Sequence, residues 1–163
     1  LGGQFIRDST ERQRMYDTIL FPTDGTEGVD RATDHAIDAA DRYDATLHVL
    51  YVVDTDVVNA YPGDEFVRGA EGAEETLEDT GRTALDAVAA RAESAGVDVV
   101  THLGYGTPHE EILRYVAEED VDLTVMGSKA HSGEYRQLLG SVTERVSRRS
   151  TAPVSIVKTT VEN

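Results

Sequence analysis

Ten residues, Ala45 to Asp54 (ATLHVLYVVD), restrict the fold more than any other stretch of this chain. They are apolar and β-branched almost throughout, with no glycine or proline. A strand with one wet face alternates polar and apolar residues. A run that is apolar on both faces suits a central strand of a parallel sheet, with helices covering both sides. His48 sits inside the run and admits two readings, a packed histidine with one polar contact or a ligand-binding one. Packing is the default for a single histidine among apolar neighbours.

The rest of the chain supplies the other layers. Thr18-Ile19-Leu20-Phe21-Pro22 reads as a short strand that stops at Thr23-Asp24-Gly25, with Pro22 at the strand end where its missing N–H does least harm. Val29, Ala32, Ala36, Ile37, Ala40 and Tyr43 then fall at helical spacing. Thr55 to Gly69 has no period and contains Pro62-Gly63, which predicts a surface excursion. A long helix is expected from about Ala70 to Ala95, with Ala73, Leu77, Ala84, Leu85, Val88 and Ala92 on its buried stripe and Gly96 as its stop. Gly72 and Gly81 weaken it. Val97 to Leu103 predicts a third strand, and Thr107-Pro108-His109-Glu110 a helix start with threonine as cap and glutamate three residues on. Ile112, Leu113, Val116 and Ala117 give that helix its buried side, and Pro153–Lys158 forms a last strand. The order β-α-β-α-β-α-β-α-β makes an open, mainly parallel α/β sheet with helices on both faces. In such sheets ligands bind beyond the carboxyl ends of the strands, where the strand order reverses.

Residues 121–149 carry the densest chemical signal. Val121-Asp122-Leu123-Thr124-Val125-Met126 has the length and composition of a buried strand, and it stops at Gly127 before the polar run Ser128-Lys129-Ala130-His131-Ser132-Gly133. Gly140-Ser141 then opens a helical pattern. A strand ending in glycine, a polar loop and Gly-Ser at a helix start would hold a phosphate well, because free N–H groups there favour an anion. Ser141 and Glu144 also have the S-x-x-E spacing of a capping box, which needs no ligand. Both readings stand on these residues alone.

At 163 residues the chain suits one domain. Leu1–Arg14 contains Gly-Gly, no apolar centre and no periodicity, and reads as a vector-derived leader, which leaves 15–163 as the domain. The absence of cysteine excludes disulfides and thiolate metal sites and leans towards a reducing, cytoplasmic setting. No apolar run approaches the roughly 18–20 residues of a membrane span. The 31 acidic residues outweigh 15 basic ones, for a net charge of −16, and such a potential repels nucleic acid and anionic membranes. It also matches the solvated acidic surface of proteins that work in concentrated salt. Thermal stability should therefore rise between low and multimolar KCl; a melting temperature that stayed level would remove the halophilic reading.

Several chemistries fail on their motifs. No G-x-G-x-x-G follows the first strand, no G-x-x-x-x-G-K-[ST] exists, and no G-x-S-x-G is present, which excludes the usual dinucleotide, Walker-type and hydrolase sites. A receiver domain would need an aspartate at the third strand end, where Leu103-Gly104-Tyr105-Gly106 stands. His109-Glu110 lacks the second histidine of a zinc-protease helix, since position 113 is leucine.

Together, Ile19-Leu20-Phe21-Pro22-Thr23-Asp24-Gly25, Gly106-Thr107-Pro108 and the closing glycine segment resemble the universal stress protein family, over roughly Met15 to Val161. Nucleotide-binding members of that family carry G-x2-G-x9-G-[ST], and Gly127, position 130, Gly140 and Ser141 have this spacing. The resemblance implies a Rossmann-like sheet of order 3-2-1-4-5, akin to adenine nucleotide α-hydrolases. It also implies a homodimer, here through Pro153–Lys158, and in one branch bound ATP or a related adenine nucleotide with Mg²⁺ or Mn²⁺.

Carried over position by position, it places Pro22, Thr23 and Asp24 beside the adenine and ribose, and the backbone of Val52 against the adenine edge. Met126 and Gly127 fall beside the ribose, with Lys129 and Ala130 in the phosphate loop. Gly140, Ser141, Val142 and Thr143 come round the phosphates with N–H groups and two hydroxyls. Phosphate oxygens and water would hold most of the metal's coordination sphere. Ala130 stands where the signature has glycine, at a cost on the order of 1 kcal/mol if positive φ is needed, or about five-fold in affinity. That departure supports an alternative, a nucleotide-free dimeric stress protein acting through protein partners. No general base or arginine finger is evident, and His131 suits a solvated turn, so ATP hydrolysis should be slow at most. Ser128–Gln137 is the segment expected to order on the phosphates of a stress-linked switch.

Overall fold

The computed structural model describes residues 15–25, 30–59, 66–128 and 140–158. Its elements run in chain order as β1 (Thr18–Pro22), α1 (Asp30–Tyr43), β2 (Thr46–Asp54), α2 (Thr55–Val58) and α3 (Phe66–Ser94). They continue as β3 (Val99–Gly106), α4 (Pro108–Glu118), β4 (Leu123–Gly127), α5 (Ser141–Arg149) and β5 (Val154–Val157). The five strands form one sheet of order β3-β2-β1-β4-β5, every pairing parallel. This is the α/β architecture and strand order that the family resemblance implies.

Successive side chains of a strand point to opposite faces, so the sheet carries two cores. Ile19, Phe21, Leu47, Val49, Val53 and Val125 face α1 and α3 and meet Ala32, Ala36, Leu85, Val88 and Ala92. Leu20, Leu50 and Met126 face α4 and α5 and meet Ile112, Val116 and Val146. The connections after β1 and β2 thus lie on one face and those after β3 and β4 on the other. The strand order reverses between β1 and β4. Helices return to strands through left-handed residues: Asp44 at φ 54° after α1, Gly96 at φ 78° after α3, and Asp120 at φ 49° after α4. Aspartate tolerates that region better than most side chains.

Four local expectations change. The long helix begins at Phe66 and not near Ala70, and β3 runs on to Gly106 and not to Leu103. Within the predicted excursion, Thr55–Val58 makes a helical turn because the Asp54 carboxylate accepts from the N–H groups of Asp56 at 2.9 Å and Val57 at 3.4 Å. Gly81 does more than loosen a helix. It is buried, and a Cβ there would lie 2.4 Å from Tyr51 Cδ1 and 2.8 Å from Leu103 Cδ1, so its absence lets α3 sit flush on the sheet. The proposed leader, residues 1–14, lies outside the described residues.

Candidate functional site

β1 is shorter than its neighbours at the carboxyl edge. Pro22 pairs with Leu50, yet β2 continues four residues further, to Asp54, about 13 Å at roughly 3.3 Å per residue. On the other side, β4 extends to Gly127. The result is a notch at the point of strand-order reversal, with the end of β1 as its floor.

The backbone lining the notch follows from the ladder. Thr46 donates to Asp17 and Leu50 accepts from the Thr23 N–H at 2.9 Å, so even-numbered residues of β2 turn their peptide groups toward β1. Val52 is next in that series, where β1 has already ended. Among the described residues no backbone hydrogen bond joins Val52 to the chain beyond Thr23. The Gly25 N–H instead bonds the Thr23 hydroxyl at 3.2 Å. In β4 the N–H groups of Thr124 and Ser128 go to β5, which turns the peptide of Gly127 toward the notch.

The start of α5 closes this arrangement. Gly140 is the N-cap residue, extended at φ −60° and ψ 150°, with no side-chain cap. Ser141 is therefore the first helical residue and not the cap, so the capping box read from Ser141 and Glu144 does not form. Among the described residues no side chain caps the first N–H groups of the helix, a start suited to an anion. The Thr143 hydroxyl donates to the Gly127 carbonyl at 2.9 Å and ties this turn to the end of β4. A hydroxyl has one proton, so the Thr143 side chain has none to spare for an anion, and the Ser141 hydroxyl in the same turn is exposed.

The other expected residues divide. Pro22, Val52, Met126 and Gly127 border the notch from three strands, and Val52 and Met126 pack with the α4/α5 core. Asp24 is exposed just past β1. Thr23 departs from expectation: its side chain is buried on the opposite face, in a cavity of about 530 Å³ between α1 and α3 that Thr33, Thr80, Ala84 and Val88 also line. The period-two alternation from Phe21 already carried that information. Lys129 and Ala130 lie outside the described residues, as does the expected switch segment apart from Ser128.

Asp54 and Asp56, absent from the sequence-derived set, add charge to this edge. Asp24 and Asp54 both raise the Tyr51 pKa, after the larger effect of burial. The D-x-D at the end of the β2 run was the available signal. Thr107 is the N-cap residue of α4 and Pro108 opens the helix, as expected, but the Thr107 hydroxyl bonds Asp56 at 3.3 Å and makes no cap hydrogen bond. His48 is packed with one polar contact, 2.7 Å from its Nδ1 to the Tyr115 hydroxyl, and burial lowers its pKa against the opposing pull of Glu119. No group of three His, Asp or Glu side chains suited to a metal occurs among the described residues, and no described helix is long and apolar enough to cross a membrane.

A doubly wound sheet with an anion-ready helix start beside its reversal point defines a class of ligand-binding folds. Within that class the chain belongs to the universal stress protein family, whose profile matches residues 15–158. Universal stress protein MJ0531 of Methanocaldococcus jannaschii is 37% identical over 150 residues, which span 90% of this chain and 84% of that protein. Universal stress protein YxiE of Bacillus subtilis is 31% identical over 151 residues, 88% of this chain and 100% of the relative. Among solved structures, hypothetical protein MJ0577 matches with a TM-score of 0.74 at 28% identity, over 91% of this chain and 99% of that one. A universal stress protein in complex with cAMP matches with a TM-score of 0.63 at 28% identity, over 89% and 98%.

Proposed function

We propose that this chain is an adenine-nucleotide-binding stress protein, with ATP as its ligand, that acts as a dimeric switch. One observation carries the reading: the unladdered peptide of Val52 and the uncapped start of α5 border the same notch, one suited to a base edge and the other to phosphates. The likeness to a universal stress protein in complex with cAMP supports an adenine nucleotide in particular.

In this reading the Val52 N–H and C=O pair with the adenine edge, and the Asp24 carboxylate takes a ribose hydroxyl. Met126 and Gly127 border the sugar. The N–H groups of Ser141, Val142 and Thr143 and the Ser141 hydroxyl hold the phosphates, while the helix dipole adds about 0.3–1 kcal/mol. Mg²⁺ or Mn²⁺, held by phosphate oxygens and water, would offset the repulsion between the phosphates and the acidic surface. Lys129 joins from the loop, and the dimer forms through β5.

Denaturing the purified protein and weighing what it releases separates this function from the nucleotide-free alternative: an adenine nucleotide is expected, and none sinks the proposal. Gly140 has a φ that any residue adopts, so Gly140→Ala leaves the helix start intact and tests only close approach. Gly140→Ala and Ser141→Val should each lose nucleotide retention while the circular dichroism stays native. Unchanged affinity in both would refute the site. For the switch, Mg-ATP should slow hydrogen exchange in Ser128–Gln137, and equal exchange with and without it would count against that role.

A further inference from the structure

The sheet ends at β3, and this edge is unlike the rest of the surface. Charged residues make up 28% of the chain, yet Val99–Gly106 (VVTHLGYG) contains none. It pairs with β2 through eight consecutive residues without a bulge or proline, the devices by which sheets usually protect an edge. Val100 is 45% exposed and Tyr105 42%, and Val57, at 50%, lies on α2, which packs beside β3. These are three of the four exposed large apolar side chains among the described residues. Leu47 donates to Asp98, so even-numbered residues of β3 bond β2, and Val99, Thr101, Leu103 and Tyr105 turn N–H and C=O outward. No other described backbone group meets them.

We propose that this edge pairs with the same edge of a second copy, antiparallel about a two-fold axis. The occupant follows from charge. In a chain of net charge −16, this strand lets two copies meet with no carboxylate on the paired strands themselves. Glu78, which accepts from the Tyr105 hydroxyl at this edge, is offset by Arg82 at 3.9 Å. Antiparallel pairing puts the two Asp98 side chains at opposite ends of the paired strands, roughly 26 Å apart along their length. One register uses all four outward residues of both copies, and it sets Val99 opposite Tyr105, Thr101 opposite Leu103, Val100 opposite Gly104, and His102 opposite itself. Each pair is uncharged. A β-branched residue across from an aromatic is a favourable cross-strand pair, and Gly104 leaves room for Val100. The exposed His102 ring rests 5.5 Å from the Tyr115 ring, which holds it on the face where the two would meet. This contact is independent of the nucleotide and of the pairing through β5.

The chain has no cysteine, so a single introduced thiol reports one contact. At a non-hydrogen-bonded antiparallel pair the Cα atoms lie about 4.5 Å apart, within the roughly 4.4–6.8 Å of a disulfide. His102→Cys under mild oxidant in multimolar KCl should give a covalent dimer on a non-reducing gel. Asp98→Cys should not, and adding Val100→Lys to His102→Cys should drop the yield to the Asp98→Cys level while circular dichroism stays native. Absence of cross-linking at 102, equal cross-linking at 98, or cross-linking that Val100→Lys leaves unchanged would each overturn the β3 interface.

Discussion

The two faces of the sheet are built differently. On the α1/α3 face, Phe21, Ile19, Val49 and Val53 are fully enclosed and the helices present alanines, so the layers approach closely. Gly81 takes this to its limit, where a single added carbon would strike Tyr51. The α4/α5 face carries polar features within its packing: the His48–Tyr115 bond, the Thr143–Gly127 bond, and Thr124, fully buried with no partner for its hydroxyl among the described residues. The same face meets the notch. One side of the sheet packs closely along its centre and keeps its open space at the edge near Thr23, and the other takes polar bonds into its packing.

Substitutions can break that contrast. Phe21→Ala, on the dense face, should cost about 3–5 kcal/mol of unfolding free energy in urea, from lost transfer and the cavity left behind. Gly81→Ala should also destabilise, because overpacking of about 1–3 kcal/mol outweighs a helix-propensity gain of about 1 kcal/mol. A more stable variant would mean the Tyr51 ring can move aside. Thr124→Val should have the opposite sign on the other face and stabilise by about 1–2 kcal/mol, because it removes a buried hydroxyl that bonds no described group. Tyr115→Phe should cost about 0.5–1.5 kcal/mol by deleting the bond to His48.

The His48 pKa is depressed in the folded state, so folding favours the neutral ring. Its contribution is complete above the ordinary value of 6.5 and is lost as pH falls below that value and through the folded pKa. Stability should decline over that acid window, and His48→Gln should flatten the decline. Smallest of all, breaking the exposed Glu144–Arg148 pair on α5 should change stability by less than about 0.5 kcal/mol.

Much of the fold was legible because periodicity is a local property. The continuous apolar run of β2, the helical spacing after β1 and the glycine stop after α3 each sit within one segment. What escaped depended on partners distant in sequence. Gly81 looked like a defect in a helix because Tyr51 and Leu103 are 30 and 22 positions away. Thr107 had the right type and stands at the cap position, but its hydroxyl is turned to donate to Asp56 of α2 and accepts from no helix N–H. Ser141 had the spacing of a capping box, and the helix began one residue earlier than that motif requires. The glycines of β3 hid its last residues, because glycine carries no strand signal even where the neighbouring strand continues to pair with it.

The early stop of β1 has a mechanical consequence. β1 is the middle member of the sheet, and above Pro22 nothing in the ladder joins β2 to β4. A molecule seated there would act as a keystone, linking the half of the sheet that leads to β3 with the half that leads to β5. Resistance to unfolding at that rim would then track how full the gap is, so occupancy would be felt as stiffness.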